Sequence, residues 1–560
     1  MKPQKPPKAY STIEITRLAW LAIFVSVFSF LYYLRHSDVL LYGDAVAHIN
    51  IARRVFDSKT PGPLQLGTVW LPLPHLLIMP FIVSRQMWQS GTGGSIPSMA
   101  GFVLGVMGIF RLVRSGLSRD GGAANGPANQ AAIAGAWVAA IVYGANPNLI
   151  YMQATAMGES LYLAFFIWAV VYFGEFARGE AKALRKCGWC LAGACLTRYD
   201  GWFLAAAMAI SSVIVASRAG KREGRARGSL SPPSRMALVK FVLLAAAAPI
   251  FWLGYNAAVY RNPLEFANGP YSAKAIEQKT ATVNPAKGNL LAAGSYFLKA
   301  AELNVSNSGW LGRLWLALAV TGSVAAAISG RGRLALWLWA PLPFYSLSVG
   351  YGSVPIFVPL WWPFSMYNVR YGLQLLPAFA VFVPLGIAFL VQSAAKIPRV
   401  EIPWQRWAEA VVLLGVIVLA AVSYALIWQA DPICYREAAV NSRGRVTLDT
   451  QLAGWVKSLP ADSTLLMYLG QHAGVAQQAG IPLQRFICEG NHRVWKQPFD
   501  RDGLWERALA DPAAYADYVV GFEGDPVWNA ARGKRLKELV EIHTTGEPGA
   551  VIFEGRVKSR

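Results

Sequence analysis

The chain has 560 residues, of which 54% are hydrophobic and only 15% are charged, so it is neither a disordered polymer nor a single soluble core. Apolar runs of about 20 residues recur along it, and this length crosses about 30 Å of hydrocarbon. The net charge of +21 does not indicate nucleic-acid binding, because the basic residues lie in short connectors between the apolar runs. That distribution is typical of cytoplasmic loops and predicts a polytopic α-helical membrane protein.

The first predicted element is a cytoplasmic N-terminus, residues 1–16, followed by a membrane domain over residues 17–430. No cleavage site follows the first apolar run, so we interpret it as an uncleaved span. The domain is predicted to contain about eleven spans, at about 17–34, 98–115, 131–150, 153–173, 187–198, 202–217, 237–259, 309–329, 334–350, 369–392 and 410–429. Two large loops, 35–97 and 260–308, then fall outside the cytoplasm.

The first outer loop carries more polar residues than a plain connector needs. In GDAVAHINIARR, the spacing predicts an amphipathic helix over residues 45–57 that lies along the membrane interface, with Asp44 as its N-cap. The following WLPLPHLLIMPFIV is too short and too rich in proline for a span. We predict that it is a re-entrant or surface-lying helix.

The last part of the chain, residues 431–560, has the pattern of a small α/β domain. A helix is predicted over 445–459, and the runs expected to form strands are 464–469, 483–489, 518–522, 540–544 and 550–555. Because the number of spans is odd, this domain is predicted to be extracytoplasmic. A disulfide between Cys434 and Cys488 is compatible with that location.

Asp44 leads the candidate catalytic residues, as a general base held in place by its capping position. His48 shares its helix face, and His75 follows in the next segment. Asp and His at this spacing can ligate a metal, but no second acid lies nearby, so both histidines are predicted to contact substrate rather than metal. No cofactor is predicted, and a divalent metal is not favoured.

Four further charged residues lie at predicted outer ends of spans. Glu159 is either a functional group facing a polar cavity or an acid favoured by a helix N-terminus. In LTRYDGW, Asp200 can simply pair with Arg198, which can instead hold a phosphate. Arg370, in NVRYGLQLLPAF, either extends to the interface or binds a lipid phosphate.

At these residues the chain resembles the GT-C superfamily of membrane glycosyltransferases. It is most similar to the group of dolichyl-phosphate-mannose protein mannosyltransferases and lipid A aminoarabinose transferases. The resemblance rests on four segments in order, GDAVAHINIARR, WLPLPHLL, LTRYDGW and NVRYGLQLLPAFAVF, and it covers about residues 15–430. LTRYDGW corresponds to the family's Thr-Arg-Pro-Glu-Gly, with Tyr-Asp in place of Pro-Glu.

The resemblance implies transfer of a sugar from a polyprenyl-phosphate donor to a lipid, glycan or protein acceptor on the non-cytoplasmic side of the inner or plasma membrane. Asp44 takes the family's base position. The residues expected to bind substrate are His48, Arg53, His75, Glu159, Arg198, Asp200 and Arg370. Family loops commonly carry two acids where this loop has one, which favours a metal-independent reaction.

Two other functions remain compatible with the sequence. One is a multispan transporter or lipid flippase, although its charges would be expected near the middle of the membrane rather than at one face. The other is a GT-C-like scaffold that binds a polyprenyl lipid without catalysis. The single acid in the first outer loop keeps this second alternative open.

Overall fold

The computed structural model describes residues 12–117, 127–222, 232–280, 283–330, 333–394, 404–491 and 503–556. Helices dominate up to residue 458. The first ten are α1 Thr12–Arg35, α2 Gly43–Arg54, α3 Leu73–Ile78, α4 Arg85–Gln89, α5 Thr92–Leu117, α6 Pro127–Gly144, α7 Pro147–Gln153, α8 Glu159–Ala177, α9 Ala181–Thr197 and α10 Asp200–Arg222. The next nine are α11 Pro232–Tyr260, α12 Glu265–Asn268, α13 Ala273–Thr280, α14 Leu290–Val305, α15 Gly309–Ser329, α16 Pro341–Tyr351, α17 Leu376–Ala394, α18 Trp404–Gln429 and α19 Ile433–Ser458.

Within the described residues, eight helices are long and apolar enough to cross a membrane, and nine if α6 and α7 form one bent span. The predicted segments that differ are short or broken. Run 131–150 is divided by a 63° bend between α6 and α7. Run 187–198 belongs to the 17-residue α9, and run 334–350 is a 3-10 helix, Arg333–Trp339, followed by the 11-residue α16. The number of about eleven spans therefore stays a prediction.

Glycines allow the closest contact between two of these helices, α15 and α17. A Cβ on Gly322 would collide with the Phe382 carbonyl, and one on Gly386 would collide with the Leu318 carbonyl. Small residues let transmembrane helix backbones approach in this way. The close packing of α15 against α17 therefore explains why glycine occupies both positions.

A five-stranded sheet forms the core of the C-terminal α/β domain. Its strands are β1 Leu465–Met467, β2 Phe486–Ile487, β3 Tyr518–Phe522, β4 Glu538–Ile542 and β5 Ala550–Glu554, in the order β2-β1-β3-β5-β4. β1 is parallel to β2 and β3, whereas β5 is antiparallel to β3 and β4. Four short helices lie between its strands in the sequence: α20 Ala473–Ala479, α21 Leu504–Ala510, α22 Pro512–Tyr515 and α23 Pro526–Gly533. All five predicted strands are present, and the predicted helix 445–459 is the second half of α19.

The prediction that the first-loop helix lies on the membrane surface is wrong. α2 is buried by protein, with Ala45, Ile49 and Ala52 fully inaccessible, and it packs against α3, α5 and α20. On its outer side, Asn50 donates to Gln477 of α20 at 2.8 Å. A helix with polar residues on the face opposite its apolar stripe can bind a polar protein domain as well as a membrane surface, and here it binds the α/β domain.

The Pro-rich segment that follows contains one short helix. Only Leu73–Ile78 is helical, as α3, and it packs against α2, α5 and α9. Pro74, His75 and Ile78 are buried there. One side of the segment therefore packs against α2, while Leu76, Leu77 and Val83 stay exposed. The re-entrant or surface-lying helix remains a prediction.

Candidate functional site

Six of the eight predicted site residues line one cavity of about 810 Å³ between the first outer loop, the α9–α10 junction and the segment before α17. These six are Asp44, His48, Glu159, Arg198, Asp200 and Arg370. Aromatic side chains, including Trp70, Tyr345 and Tyr371, line the same cavity. Residues far apart in sequence thus form one polar site in a mostly apolar wall.

Arg370 is the centre of the charged cluster, and its side chain is only 8% exposed. Its Nη1 donates to Glu437 at 2.7 Å, and its Nη2 donates to Asp44 at 2.7 Å. Its Nε lies 3.3 Å from Glu159. A guanidinium can serve three carboxylates at once because it presents five donors in a planar fork.

Glu437 also fixes the backbone that carries Arg370. Its Oε2 accepts the backbone N–H of Val369 at 2.6 Å and lies 3.4 Å from the N–H of Arg370. Those two residues begin the 3-10 helix Val369–Leu375. The buried carboxylate of Glu437 on α19 therefore holds the Arg370 guanidinium and also the start of the 3-10 helix that contains Arg370.

Arg198 is the second cation of the cluster. Its Nη1 donates to Glu159 at 3.0 Å, its Nη2 donates to the Tyr345 hydroxyl at 2.9 Å, and its Nε lies 3.5 Å from Asp200. The Tyr345 hydroxyl in turn donates to Asp200 at 3.1 Å. The predicted pairing of Arg198 with Asp200 is present, but it is the longest of these contacts.

Glu159 connects the two arginines. Its Oε1 is within 3.3 Å of both guanidinium groups, and the side chain is only 1% exposed. The ring of Tyr371 lies against both cations, with its centroid 4.8 Å from Arg198 Cζ and 5.1 Å from Arg370 Cζ. The two interpretations of Glu159, an acid at a helix N-terminus and a group facing a polar cavity, are compatible, because the residue begins α8 and also lines the cavity.

Asp44 does not cap α2, contrary to the prediction. The helix begins at Gly43 after Tyr42, no side-chain cap bond forms, and Asp44 lies within the first turn. Its Oδ2 is bound by Arg370, and the side chain is 39% exposed, the most accessible carboxylate in the cluster. The contact with Arg370, rather than a capping bond, orients the carboxylate.

His48 and His75 form a pair one turn beyond Asp44. Nδ1 of His48 lies 2.8 Å from Nε2 of His75, so one imidazole donates to the other. Burial lowers the pKa of His48 and lowers that of His75 further, so both rings are neutral at pH 7. His48 lines the cavity, whereas His75 lies behind it and is fully inaccessible.

Arg53 is not part of the cavity lining. It forms an ion pair with Asp57 at 2.8 Å, donates to the carbonyl of Ile82 at 2.6 Å and lies over the Trp88 ring. These contacts tie the end of α2 to the segment after α3. The structure thus places Arg53 in the framework of the first outer loop, away from the six clustered residues.

The two cysteines considered for a disulfide are both free and buried. The Cys434 thiol lies 3.3 Å from the Asn304 amide oxygen, within the helical part of the molecule. Cys488 follows β2 in the sheet. The bridge between them that the sequence left possible is not formed.

Three residues of the cluster were missed by the sequence reasoning: Glu437, Tyr345 and Tyr371. A single acid within the apolar start of α19, in ICYREAAV, was a signal for Glu437. Tyr371 stands beside Arg370 in NVRYGLQLLPAFAVF, one of the segments that carry the resemblance, whereas Tyr345 gave no signal because tyrosine is common in membrane proteins. Among the described residues, no group of three or more His, Cys, Asp or Glu side chains has the arrangement of a metal site.

No protein-family model and no curated protein matches the sequence. Among solved structures, the lipid A aminoarabinose transferase ArnT from Cupriavidus metallidurans bound to undecaprenyl phosphate matches with a TM-score of 0.55 at 13% identity, over 97% of this chain and 98% of that one. The same protein in the apo state matches with a TM-score of 0.51 at 13% identity, over 94% and 97%.

The chain has a GT-C fold. The match extends over nearly the full length of both chains, so it includes the C-terminal α/β domain as well as the helical part. The fold that the resemblance implied is thereby confirmed. Three of the four segments that carry the resemblance, GDAVAHINIARR, LTRYDGW and NVRYGLQLLPAFAVF, supply Asp44, Arg198, Asp200 and Arg370 of the cavity lining, whereas Glu159 lies outside them.

Proposed function

We propose that this protein is a membrane glycosyltransferase that moves a sugar from a polyprenyl-phosphate-linked donor to a lipid, glycan or protein acceptor, with Asp44 as general base. The observation that carries the proposal is the contact between Asp44 and Arg370 at 2.7 Å inside the cavity. It places an accessible carboxylate beside a buried cation at the edge of the apolar helices. Base catalysis needs the carboxylate near the acceptor, and stabilisation of an anionic leaving group needs the cation near the donor phosphate, so one cavity must hold both groups.

The proposed reaction needs only Asp44, Arg198 and Arg370. Asp44 takes the proton of the acceptor hydroxyl, whose oxygen attacks the anomeric carbon of the donor. The bond between that carbon and the phosphate oxygen breaks, and the polyprenyl phosphate leaves with the electron pair. Arg198 and Arg370 stabilise the phosphate by charge-assisted hydrogen bonds, and inversion at the anomeric carbon follows from a single displacement.

Donor binding is expected to release Asp44 for this role. One of the two terminal nitrogens of Arg370 is occupied by Asp44 Oδ2, and the other by Glu437. The donor phosphate competes with the more accessible of these carboxylates, which is Asp44. The base is then freed only when the leaving group is in place.

His48 is proposed to contact substrate from the same wall of the cavity, while His75 supports it from behind. Since both imidazoles are neutral, they can donate or accept one hydrogen bond each without adding charge. No metal is assigned to the reaction. We place the cavity and the α/β domain on the non-cytoplasmic side of the inner or plasma membrane, and the N-terminus in the cytoplasm.

The proposal is tested by incubating the purified protein with labelled undecaprenyl-phosphate sugars and candidate acceptors. Asp44→Asn should reduce transfer about 100- to 10,000-fold, the range for loss of a general base. Asp431→Asn is the matched control, because Asp431 lies outside the cavity in the left-handed region that asparagine tolerates. Unchanged transfer by Asp44→Asn would remove Asp44 as the base.

Two further arms separate the alternatives. Donor binding by wild type without any turnover would favour the non-catalytic scaffold, and movement of the intact lipid across a vesicle membrane would favour the flippase. Repeating the transfer assay with a chelator tests metal dependence. Loss of transfer on chelation and its return with a divalent metal would contradict the metal-independent reaction.

A further inference from the structure

One face of α19 contacts both segments that carry the charged pair of the cavity. The contacts come from Cys434, Glu437, Asn441 and Arg445, at spacings of three, four and four residues. Residues at these spacings lie on one side of an α-helix, and this stripe is about 16 Å long. α19 therefore presents a continuous row of polar contacts to the membrane domain.

Two members of this stripe bind the segment before α17. Glu437 holds Arg370 and the N–H of Val369. Asn441 donates from its side-chain amide to the carbonyl of Met366 at 2.9 Å. Arg370 and the backbone that carries it are thus fastened to α19 at two successive turns.

The other two members bind the segment before α2. The carbonyl of Cys434 accepts a hydrogen bond from the Tyr42 hydroxyl at 2.8 Å. Arg445 donates from Nη2 to the carbonyl of Leu41 at 2.9 Å and lies 3.3 Å from the carbonyl of Leu40. These residues directly precede Gly43 and Asp44, the first turn of α2.

The sheet domain fixes Arg445 in turn. Nη1 of Arg445 lies 3.4 Å from Asp449, which is completely inaccessible and also contacts His472 at 3.2 Å. A Cβ on Gly474 would collide with Asp449, so glycine is needed there for this approach. The guanidinium is therefore held between the α/β domain on one side and the Asp44 segment on the other.

We propose that Glu437 and Arg445 are positioning residues, and that this face of α19 sets the separation between Asp44 and Arg370. Glu437 aims the cation, and Arg445 fixes the start of the helix that carries the base. The inference rests on the proposed function and assigns the C-terminal domain a part in it. Neither residue touches the reacting atoms, so each acts through its partner.

The two positions should affect the reaction in different ways. Arg445→Met leaves the phosphate-binding arginines in place, so the Kd for undecaprenyl phosphate should stay within about threefold, whereas transfer should fall about 10- to 100-fold because the base is displaced. Glu437→Gln loosens Arg370 itself, so it should weaken undecaprenyl phosphate binding about tenfold, as loss of a charge-assisted contact does. If the two residues had a merely structural role, each variant would lose affinity for undecaprenyl phosphate and transfer activity together.

Conservative and control variants make the test specific. Arg445→Lys should recover part of the lost transfer, because an ammonium can still donate to the Leu41 carbonyl. Arg443→Met is the control, since Arg443 is exposed on the same helix and its substitution should leave binding and transfer unchanged. Equal transfer by Arg445→Met and wild type, or no recovery in Arg445→Lys, would overturn the inference.

Amide hydrogen exchange gives a readout that does not depend on catalysis. In nanodiscs, Arg445→Met should raise exchange in a peptide covering residues 40–50, and Arg443→Met should not. Unchanged exchange in Arg445→Met overturns the inference. If wild type transfers none of the donors, the proposed function fails, and this measurement alone then decides whether α19 fixes the Asp44 segment.

Discussion

Arg198 and Arg370 share the ring of Tyr371 and one oxygen of Glu159, yet they are bound in different ways. Arg198 takes its other partners, Asp200 and Tyr345, from helices of the membrane domain. Arg370 reaches Asp44 of the first outer loop and Glu437 of α19. Arg198 thus binds within the membrane domain, whereas Arg370 joins three parts of the molecule: its own segment before α17, the first outer loop and α19.

This difference separates two kinds of contribution to the cavity. Arg198 would keep its surroundings if the α/β domain moved, whereas Arg370 would lose its buried partner Glu437 and its tie to α19. Breaking a buried ion pair costs about 3–5 kcal/mol when one partner remains as an uncompensated charge. Arg370 should therefore contribute to stability and to chemistry, and Arg198 mainly to chemistry.

The largest effect is expected for Arg370→Met. It leaves Asp44 and Glu437 without a cation, whereas Glu159 keeps Arg198. Transfer should fall more than about 1,000-fold, and the protein should lose about 3–5 kcal/mol of stability. Arg370→Lys keeps the charge but lacks the fork that serves three carboxylates, and it should lie between wild type and Met. Transfer assays and thermal unfolding in detergent measure both quantities.

Arg198→Met should give a smaller effect of a different kind. Glu159 still has Arg370, and Asp200 loses its cation but still accepts from Tyr345, so the change in unfolding temperature should be smaller than that of Arg370→Met, which leaves two carboxylates without a cation. Transfer should nevertheless fall about 100-fold, because one of the two cations at the leaving group is lost. Equal loss of stability in the two variants would contradict the contrast between the arginines.

Asp44→Asn tests whether Arg370 exchanges a carboxylate for the donor phosphate. Removing the negative charge frees one terminal nitrogen of the guanidinium, so undecaprenyl phosphate should bind severalfold more tightly while transfer is lost. Binding in nanodiscs, with Asp431→Asn as control, measures the change. Weaker binding in Asp44→Asn would mean that the carboxylate helps to hold the lipid instead of competing with it.

Tyr345→Phe should give the smallest change. It removes the hydroxyl that links Arg198 to Asp200, and loss of such a buried hydrogen bond costs about 1–3 kcal/mol. Transfer should fall a few fold. Tyr32→Phe, at an exposed position of α1, is the control, and an equal fall there would show that the Tyr345 hydroxyl has no specific role.

Much of this architecture follows from local sequence patterns. Long apolar runs and basic connectors indicate the membrane domain, and β-branched runs between turns predict all five strands. Asp44, Arg198 and Arg370 stand out because charges at the ends of apolar runs are costly and few. The local partner of Arg198 was also visible in the sequence, since Asp200 is only two residues away.

The rest depends on contacts that local patterns do not encode. Asp44 resembles a helix cap in sequence, but the carboxylate turns to Arg370, 326 residues further along the chain. α2 has the polar and apolar faces of an interfacial helix, and only tertiary structure reveals that Gln477 covers its polar side. Arg53 is a charged residue in the same segment as Asp44 and His48, yet its ion pair with Asp57 holds its side chain away from the cavity.

The position of Glu437 in the chain has a consequence for biosynthesis. Arg370 and its two earlier acids are made before α19, so until that helix is synthesised the guanidinium lacks one of its three carboxylate partners. Domains generally fold as units from the N-terminus during synthesis, and here the helical domain would wait for α19 to close its charged cavity. Synthesis of α19 is then also the step that completes the partners of Arg370.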